Sequence, residues 1–142
     1  MWKIITICLF FISTGSYAQT TREEWSKTIK DSKQNIENGV ADIVRGMNKN
    51  KGKMTDAVTL SLGATSANRI IVVSYQITNR EFTQAEALSA KEKIYKNVIT
   101  GTCAIPLMFV MLNDNDMKIN YRYFDKNMKE VIEFVVEKNG CK

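Results

Sequence analysis

The 142-residue sequence contains no histidine, and this absence excludes more functions than any other feature of its composition. Ser-His-Asp and Cys-His catalysis, histidine-ligated metals and histidine-based pH switching all need an imidazole side chain. Cysteine is also scarce, with three residues, and proline occurs once. Apolar residues make up 44% of the chain and charged residues 25%, as in an ordinary soluble domain. This composition excludes wholesale disorder and a multi-pass membrane protein.

A long apolar run is missing as well, because the run Ile4–Ile12 is followed by Ser13 and Gly15. A membrane-spanning helix needs about 20 apolar residues. One positive charge at Lys3, this short run and the small residues at positions 16 and 18 are typical of a bacterial secretory signal peptide. We therefore expect residues 1–18 to be cleaved, with an uncleaved anchor as the alternative. Residues 19–142 are then expected to form a single periplasmic or secreted domain without a transmembrane segment.

Cleavage would leave two cysteines, Cys103 and Cys141, and would lower the formal charge from +5 to +4 by removing Lys3. Two cysteines in an exported chain indicate one disulfide. Such a bridge would close a loop of about 39 residues, for which the chain-entropy model gives a stabilisation of about 4 kcal/mol. Two free buried thiols are the alternative.

Hydrophobic periodicity predicts a helix, a hairpin, two further helices and a second hairpin. Thr21–Glu24 and Thr83–Glu86 have the spacing of capping boxes and are expected to begin two helices. Gly39 is a candidate end for the first helix, and Pro106 is expected to begin a short apolar helix. Alternating apolar residues predict strands over 58–63, 69–78, 118–123 and 131–136. The predicted fold is α+β: an antiparallel sheet of about four strands, made of two hairpins, with helices packed on one face and one disulfide.

The stretch from Cys103 to Cys141 contains a cysteine after a helix, a short apolar helix, the segment Tyr121-Arg-Tyr-Phe-Asp-Lys-Asn-Met128, a strand and a closing cysteine. This order resembles small exported bacterial two-cysteine α+β proteins, and it is similar to the C-terminal half of the type II secretion pilotins. Pilotins are small periplasmic proteins that bind a secretin segment in a groove and help it reach the outer membrane. Many are lipoproteins, whereas this chain has no lipidation cysteine. The resemblance implies a binding role in envelope assembly.

Candidate catalytic groups are few. The carboxylates of Glu133 and Glu137 fall on the strand face opposite Phe134, where solvated side chains are expected. Asp114 and Asp116 suggest calcium, but the residues after them lack the glycine and distal glutamate of an EF-hand loop. We therefore predict no catalytic residue, no metal site and no cofactor, and we expect that the protein is not an enzyme.

A basic segment follows the first helical region, where Lys49, Lys51 and Lys53 come after Arg45. A solvated loop is the simplest interpretation, and contact with an acidic protein or a phospholipid surface is the alternative. Nucleic acid is not expected as a partner, because the net charge is small and no aromatic residues are interleaved with these lysines.

Methionine and aromatic side chains near the C-terminus supply the candidate partner-binding surface. Consecutive residues of a strand point to opposite faces, so either Tyr123 or Phe124 is expected to be exposed. Adaptable methionine and aromatic side chains favour the capture of a peptide or helix, although core packing is the alternative for each of them. The predicted set is Met108, Met111, Tyr121, Arg122, Tyr123 and Phe124.

These observations predict an exported periplasmic protein that acts by binding another protein. The first interpretation is a pilotin-like accessory in cell-envelope or secretion assembly, which holds a partner helix in a groove between the helices and the sheet. The alternative is a periplasmic inhibitor or immunity protein that neutralises a toxin or hydrolase. Either role needs a rigid small fold with a complementary surface.

Overall fold

A computed structural model describes residues 21–30 and 33–141; the predicted signal peptide, residues 1–18, lies outside this part of the chain. The described residues form helices α1–α4, strands β1–β4 and a final 3-10 turn. Their bounds are α1 Arg22–Lys30, α2 Lys33–Asn48, β1 Thr59–Ala67, β2 Ile70–Ile77, α3 Gln84–Ala104, α4 Pro106–Asp114, β3 Lys118–Phe124, β4 Glu130–Val136 and the 3-10 turn Lys138–Gly140.

The four strands form one sheet in the order β1-β2-β3-β4. The β1–β2 and β3–β4 pairs are antiparallel hairpins, whereas β2 and β3 run parallel, with Val73 opposite Tyr121. The predicted α+β class, the four strands and both hairpins are therefore confirmed. The expectation of a purely antiparallel sheet needs correction, because the junction between the hairpins makes the sheet mixed.

The parallel junction results from the long connection through α3 and α4. Parallel neighbours need a crossover that returns the chain to the starting end of the first strand. Helices α3 and α4 provide this return, with a bend of 100° between them. The chain re-enters the sheet beside the start of β2, where the Lys118 N–H donates to the Arg69 carbonyl at 3.0 Å.

The helices cover one face of the sheet, and the core lies between them. Alternate residues of β2, β3 and β4 are buried there, as the period of two requires. Tyr75 stacks on Tyr123 with ring centroids 5.2 Å apart, and Tyr121 stacks on Phe134 at 5.3 Å. The opposite face, which we call the open face, carries half-buried and exposed side chains, among them Leu60, Val72, Asn120, Arg122 and Phe124.

Local sequence signals account for the helix ends. In both predicted capping boxes, at Thr21–Glu24 and Thr83–Glu86, the threonine and glutamate side chains bond each other's backbone N–H groups. Pro106 occupies the first turn of α4 as expected. Gly39 does not end a helix; it lies inside α2, where an added Cβ would come within 3.3 Å of the Met111 sulfur. The glycine therefore permits close packing of α2 against α4.

The predicted disulfide is present between Cys103, in the last turn of α3, and Cys141, after the 3-10 turn, with their Cα atoms 5.3 Å apart. It joins the central helix to the segment that follows the last strand. Helix α1 packs nearby, because Arg22 donates to the Cys103 carbonyl at 3.2 Å and stacks over the Phe109 ring at 3.9 Å. The disulfide and the contacts of Arg22 therefore stabilise the packing of the helices at this end of the molecule.

Within residues 21–30 and 33–141, no single helix is long and apolar enough to cross a membrane. Helices α3 and α4 taken together meet the requirements of length and apolar content, but they are bent by 100°.

Candidate functional site

The six residues predicted to bind a partner do not form one surface. Met108 and Met111 lie on α4, and their exposed fractions are 4% and 0%. They belong to the core, because α4 is apolar nearly all round and is covered by neighbouring elements. Their burial agrees with the alternative of core packing, and partner binding by these methionines stays a prediction.

Strand alternation divides the other four predicted residues. Tyr121 and Tyr123 point toward the helices and are buried in the aromatic core. Arg122 and Phe124 point to the open face, where both are half-buried. Core packing is thus the correct interpretation for the two tyrosines. Partner binding by Arg122 and Phe124 stays a prediction.

The surroundings of Arg122 are polar and internally paired. Its guanidinium binds the Glu130 carboxylate, with Nε donating to Oε2 at 2.6 Å, and lies 5.3 Å from the centre of the Phe124 ring. Beside it, Asn120 donates to Glu133 at 2.8 Å. Polar side chains on this part of the open face are thus paired across the strands.

A concave site exists elsewhere, between α2 and the turn that joins β1 to β2. This cleft is open to solvent and has a volume of about 620 Å³. Buried Val40 and the small side chains of Ala41 and Ala67 provide its apolar part. The lining residues are Glu37, Val40, Ala41, Ser66, Ala67, Asn68, Arg69 and Asp116.

Charged side chains surround the cleft. Glu37 and Asp116 are exposed, and Arg69 is half-buried and donates to the Asn115 carbonyl at 3.2 Å. That bond joins the β1–β2 turn to the residue that follows α4, next to Asp116. The lining thus combines two carboxylates and one guanidinium with small apolar side chains.

Three backbone positions around the cleft have left-handed conformations, with φ of 50° at Asn68, 63° at Arg69 and 53° at Asp116. Asn68 and Arg69 form the two-residue hairpin turn, because Ala67 pairs with Ile70 across it. Asp116 follows the C-cap of α4. Such strained positions persist only where the surrounding structure fixes them.

Three groups elsewhere on the surface have shifted pKa values. A hydrogen bond from the Asn127 side chain, together with Lys126, lowers the pKa of Glu81. The backbone N–H of Thr83 lowers the pKa of Glu86, and the bond to Glu137 raises the pKa of Lys118. These shifts report surface ion pairs and a helix cap. In the described ranges, no group of three His, Cys, Asp or Glu side chains is arranged to hold a metal ion.

The cleft could not be predicted from the sequence. Residues 64–68 lie between two predicted strands and residues 113–116 precede a third, but no signal in the sequence indicates that these segments meet the same face of α2. The positive φ angles at Arg69 and Asp116 also could not be predicted from the sequence, because neither residue type requires them. Asn68 was the best available signal, because asparagine favours this conformation in tight turns.

No protein-family model and no curated protein sequence matches the chain. Two solved structures have a similar fold. One is a Pseudomonas aeruginosa protein inferred to be secreted, with a TM-score of 0.61 and 9% identity, covering 77% of this chain and 95% of that one. The other is EpsS, the pilotin of the Vibrio vulnificus type 2 secretion system, with a TM-score of 0.55 and 11% identity, covering 84% and 97%. At these identities the likeness establishes the fold, including the similarity to a pilotin that the C-terminal segment predicts.

Proposed function

We propose that the protein is exported to the periplasm and acts there as a non-catalytic accessory in the assembly of a cell-envelope or secretion apparatus. The observation that carries this proposal is the fold similarity to a secretion pilotin over 97% of the pilotin's length. The second similar structure, inferred to be secreted, supports the same location. Because both likenesses concern the fold, the role itself is the part to be tested.

The disulfide supports an oxidising location for the mature chain. Structural disulfides persist in the periplasm and outside the cell, whereas cytosolic thiols are kept reduced. Cys103 and Cys141 are bridged, and Cys141 is buried. The predicted cleavage before Gln19 supplies the route to that location. N-terminal sequencing of the protein from a periplasmic extract should therefore begin at Gln19, and a start at Met1 would contradict export with cleavage.

The cleft is the surface that we assign to the partner. It lies between a helix and a turn of the sheet, and both small apolar and charged side chains line it. A volume of about 620 Å³ accommodates a few side chains, so we expect a short segment of the partner to be held there.

A photo-crosslinking residue at position 41 tests this assignment. Ala41 is exposed on α2 and lines the cleft, and Ala85 is an exposed helical alanine on α3 that does not. In cells, the probe at position 41 should crosslink to one envelope protein, and the probe at position 85 should not. A secretin or another outer-membrane assembly component as the product supports the accessory role.

Other products separate the remaining interpretations. Crosslinking to a toxin or a hydrolase would favour the inhibitor or immunity role and contradict the accessory role. Identical products from positions 41 and 85 would show that the cleft is not selective. No protein product from position 41 in any growth condition would contradict the assignment of the cleft.

A further inference from the structure

A second surface lies at the other end of α2, where the chain turns back toward the sheet. We call residues 49–54 the lysine loop. Lys49, Lys51 and Lys53 are exposed there, and the next side chain, Met54, has an exposed fraction of 49%. Arg45, in the last turn of α2, is exposed as well. Four basic residues and one large apolar residue are therefore displayed within ten positions of the sequence.

Hydrogen bonds hold the backbone of the lysine loop against the edge of β1. The Gly52 N–H donates to the Ser61 carbonyl at 2.8 Å, and the Ser61 N–H donates to the Lys53 carbonyl at 2.9 Å. The Asn48 side chain bonds both the N–H and the carbonyl of Ala64, at 2.7 and 2.9 Å. The loop is thus preorganised, so binding through its side chains does not require ordering of its backbone.

The sequence around this surface is basic. No acidic residue occurs between Asp42 and Asp56. Asp42 pairs with Arg45 at 2.5 Å, and Asp56 accepts two bonds at 2.8 Å from backbone N–H groups at the start of β1. The segment from Arg45 to Lys53 therefore has an excess of basic residues, which suits an anionic ligand.

We propose that the lysine loop docks the exported protein onto an anionic phospholipid surface. An acidic protein would match the charges equally well, but the exposed Met54 favours lipid. Met54 pairs with Leu60 across a β-bridge, which places an apolar pair beside the lysines. Apolar residues that enter the boundary between headgroups and acyl chains, flanked by lysines that contact lipid phosphates, are the means by which peripheral proteins hold a membrane.

Docking through the lysine loop leaves the cleft accessible. The cleft contacts α2 at Glu37, Val40 and Ala41, whereas the loop begins after Asn48. At a helical rise of 1.5 Å per residue, about 10 to 16 Å of helix separates the two surfaces. The proposal rests on the extracytoplasmic location proposed above, but it does not depend on occupancy of the cleft.

Vesicle cosedimentation of residues 19–142 tests the proposal. Vesicles of phosphatidylethanolamine with 30% phosphatidylglycerol are the probe (roughly a bacterial level of anionic lipid), and phosphatidylcholine vesicles are the neutral control. Binding should occur on the anionic vesicles only and should weaken with added salt. The triple variant Lys49→Gln, Lys51→Gln, Lys53→Gln should lose about 100-fold in partition coefficient, since each lysine near an anionic surface contributes about fivefold.

The matched control removes three exposed lysines from α3 by Lys91→Gln, Lys93→Gln and Lys96→Gln. This variant has the same net charge as the loop variant and should retain binding within a few-fold. Met54→Gln should weaken binding several-fold without changing its salt dependence. Circular dichroism and urea unfolding verify that each variant is folded.

Three results would overturn the proposal. The first is no binding of the parent chain to anionic vesicles. The second is an equal loss of vesicle binding in both triple variants, which would show that binding depends on net charge and not on the position of the lysines. The third is a loop-dependent affinity for polyglutamate with none for vesicles, which would indicate an acidic protein partner. Ala41→Trp, which fills the cleft, should leave vesicle binding unchanged, so failure of the cleft assignment is distinguishable from failure of this proposal.

Discussion

At the scale of single residues, backbone conformations with positive φ shape the turns of this protein. In the described part of the chain they occur at Asn68, Arg69, Asp116 and Met128 among non-glycine residues, and at Gly52 and Gly63. A side chain in the left-handed region costs about 1 kcal/mol or more, because Cβ approaches the backbone too closely. The strained turns around the cleft are therefore retained at a cost in stability.

Met128, in the turn between β3 and β4, offers a direct measurement of that cost. Its φ is 62° and its side chain is 52% exposed, so little packing is lost on replacement. Met128→Gly should stabilise the protein by about 0.5–1 kcal/mol in urea unfolding. Met128→Ala removes the same contacts without relieving the strain and should show no gain. Equal stability of the two variants would contradict the explanation.

Gly63, at the β-bulge of β1, is required for two reasons. Its φ is 96°, and an added Cβ would lie 2.7 Å from Asn48 Oδ1. Gly63→Ala should therefore destabilise by more than 2 kcal/mol, since it combines strain with loss of the Asn48 bonds to Ala64. Gly52 has a φ of 76°, but an added Cβ there would have open space around it. Gly52→Ala should therefore destabilise the protein by about 1 kcal/mol. Similar losses at both glycines would show that the contact with Asn48 is unimportant.

At the scale of elements, patterns within one segment were reliable predictors. Both capping boxes, the start of α4 at Pro106 and the two hairpins follow from residues close together in sequence, and the structure confirms them. In β1, however, Thr59 and Ser61 face the helices, whereas Leu60 lies on the open face. Alternation predicts a strand, but packing against α2 decides which of its two faces is covered.

The cap of α3 should contribute measurably to stability. Thr83 Oγ1 accepts from the Glu86 N–H at 3.3 Å, and the Glu86 carboxylate accepts from the Thr83 N–H at 2.8 Å. Thr83→Ala should lower the free energy of unfolding by about 1 kcal/mol. Thr100→Ala, at an exposed position later in the same helix, is the control and should have a smaller effect. A loss no larger than that of the control would mean that α3 does not depend on this cap.

The same cap predicts a pH dependence with a definite sign. Hydrogen bonds from Thr83 lower the pKa of Glu86 below its ordinary value of 4.5 in the folded state. A lowered folded pKa means that the carboxylate stabilises the protein above its unfolded pKa, and that this contribution is lost as pH falls through the folded value. The stability difference between the parent and Glu86→Gln should therefore shrink between about pH 5 and pH 3. An unchanged difference over that range would exclude a role for the ionised carboxylate.

At the scale of the whole molecule, long-range connections determine the arrangement. The disulfide joins residues 38 positions apart, and the α3–α4 crossover joins the two hairpins in parallel. The bridge could be predicted because the expected cleavage of residues 1–18 would leave two cysteines, which form one possible pair. The parallel junction could not, since hydrophobic alternation is the same in parallel and antiparallel neighbours when one face is exposed. The cleft also depends on three segments distant in sequence.

Removal of the disulfide tests how much this covalent bridge contributes to the stability of the fold. Replacing Cys103 and Cys141 together by serine should lower the free energy of unfolding by about 4 kcal/mol, the chain-entropy value for this loop. The parent protein in a reducing agent should show a similar loss, which separates the effect of the bridge from that of the serines. Unchanged stability after reduction would show that the folded state does not rely on the bridge.

The helix caps, the hairpins, the cysteine pair and the exclusion of histidine chemistry could be predicted, because each depends on residue type or on neighbours within a few positions. The fold was needed to show that Met108, Met111, Tyr121 and Tyr123 are core residues, that the hairpins join in parallel, and that Glu37, Arg69 and Asp116 surround one cleft. These properties arise from the packing of distant segments, where the free energy depends on which surfaces meet and not on the local pattern of either one.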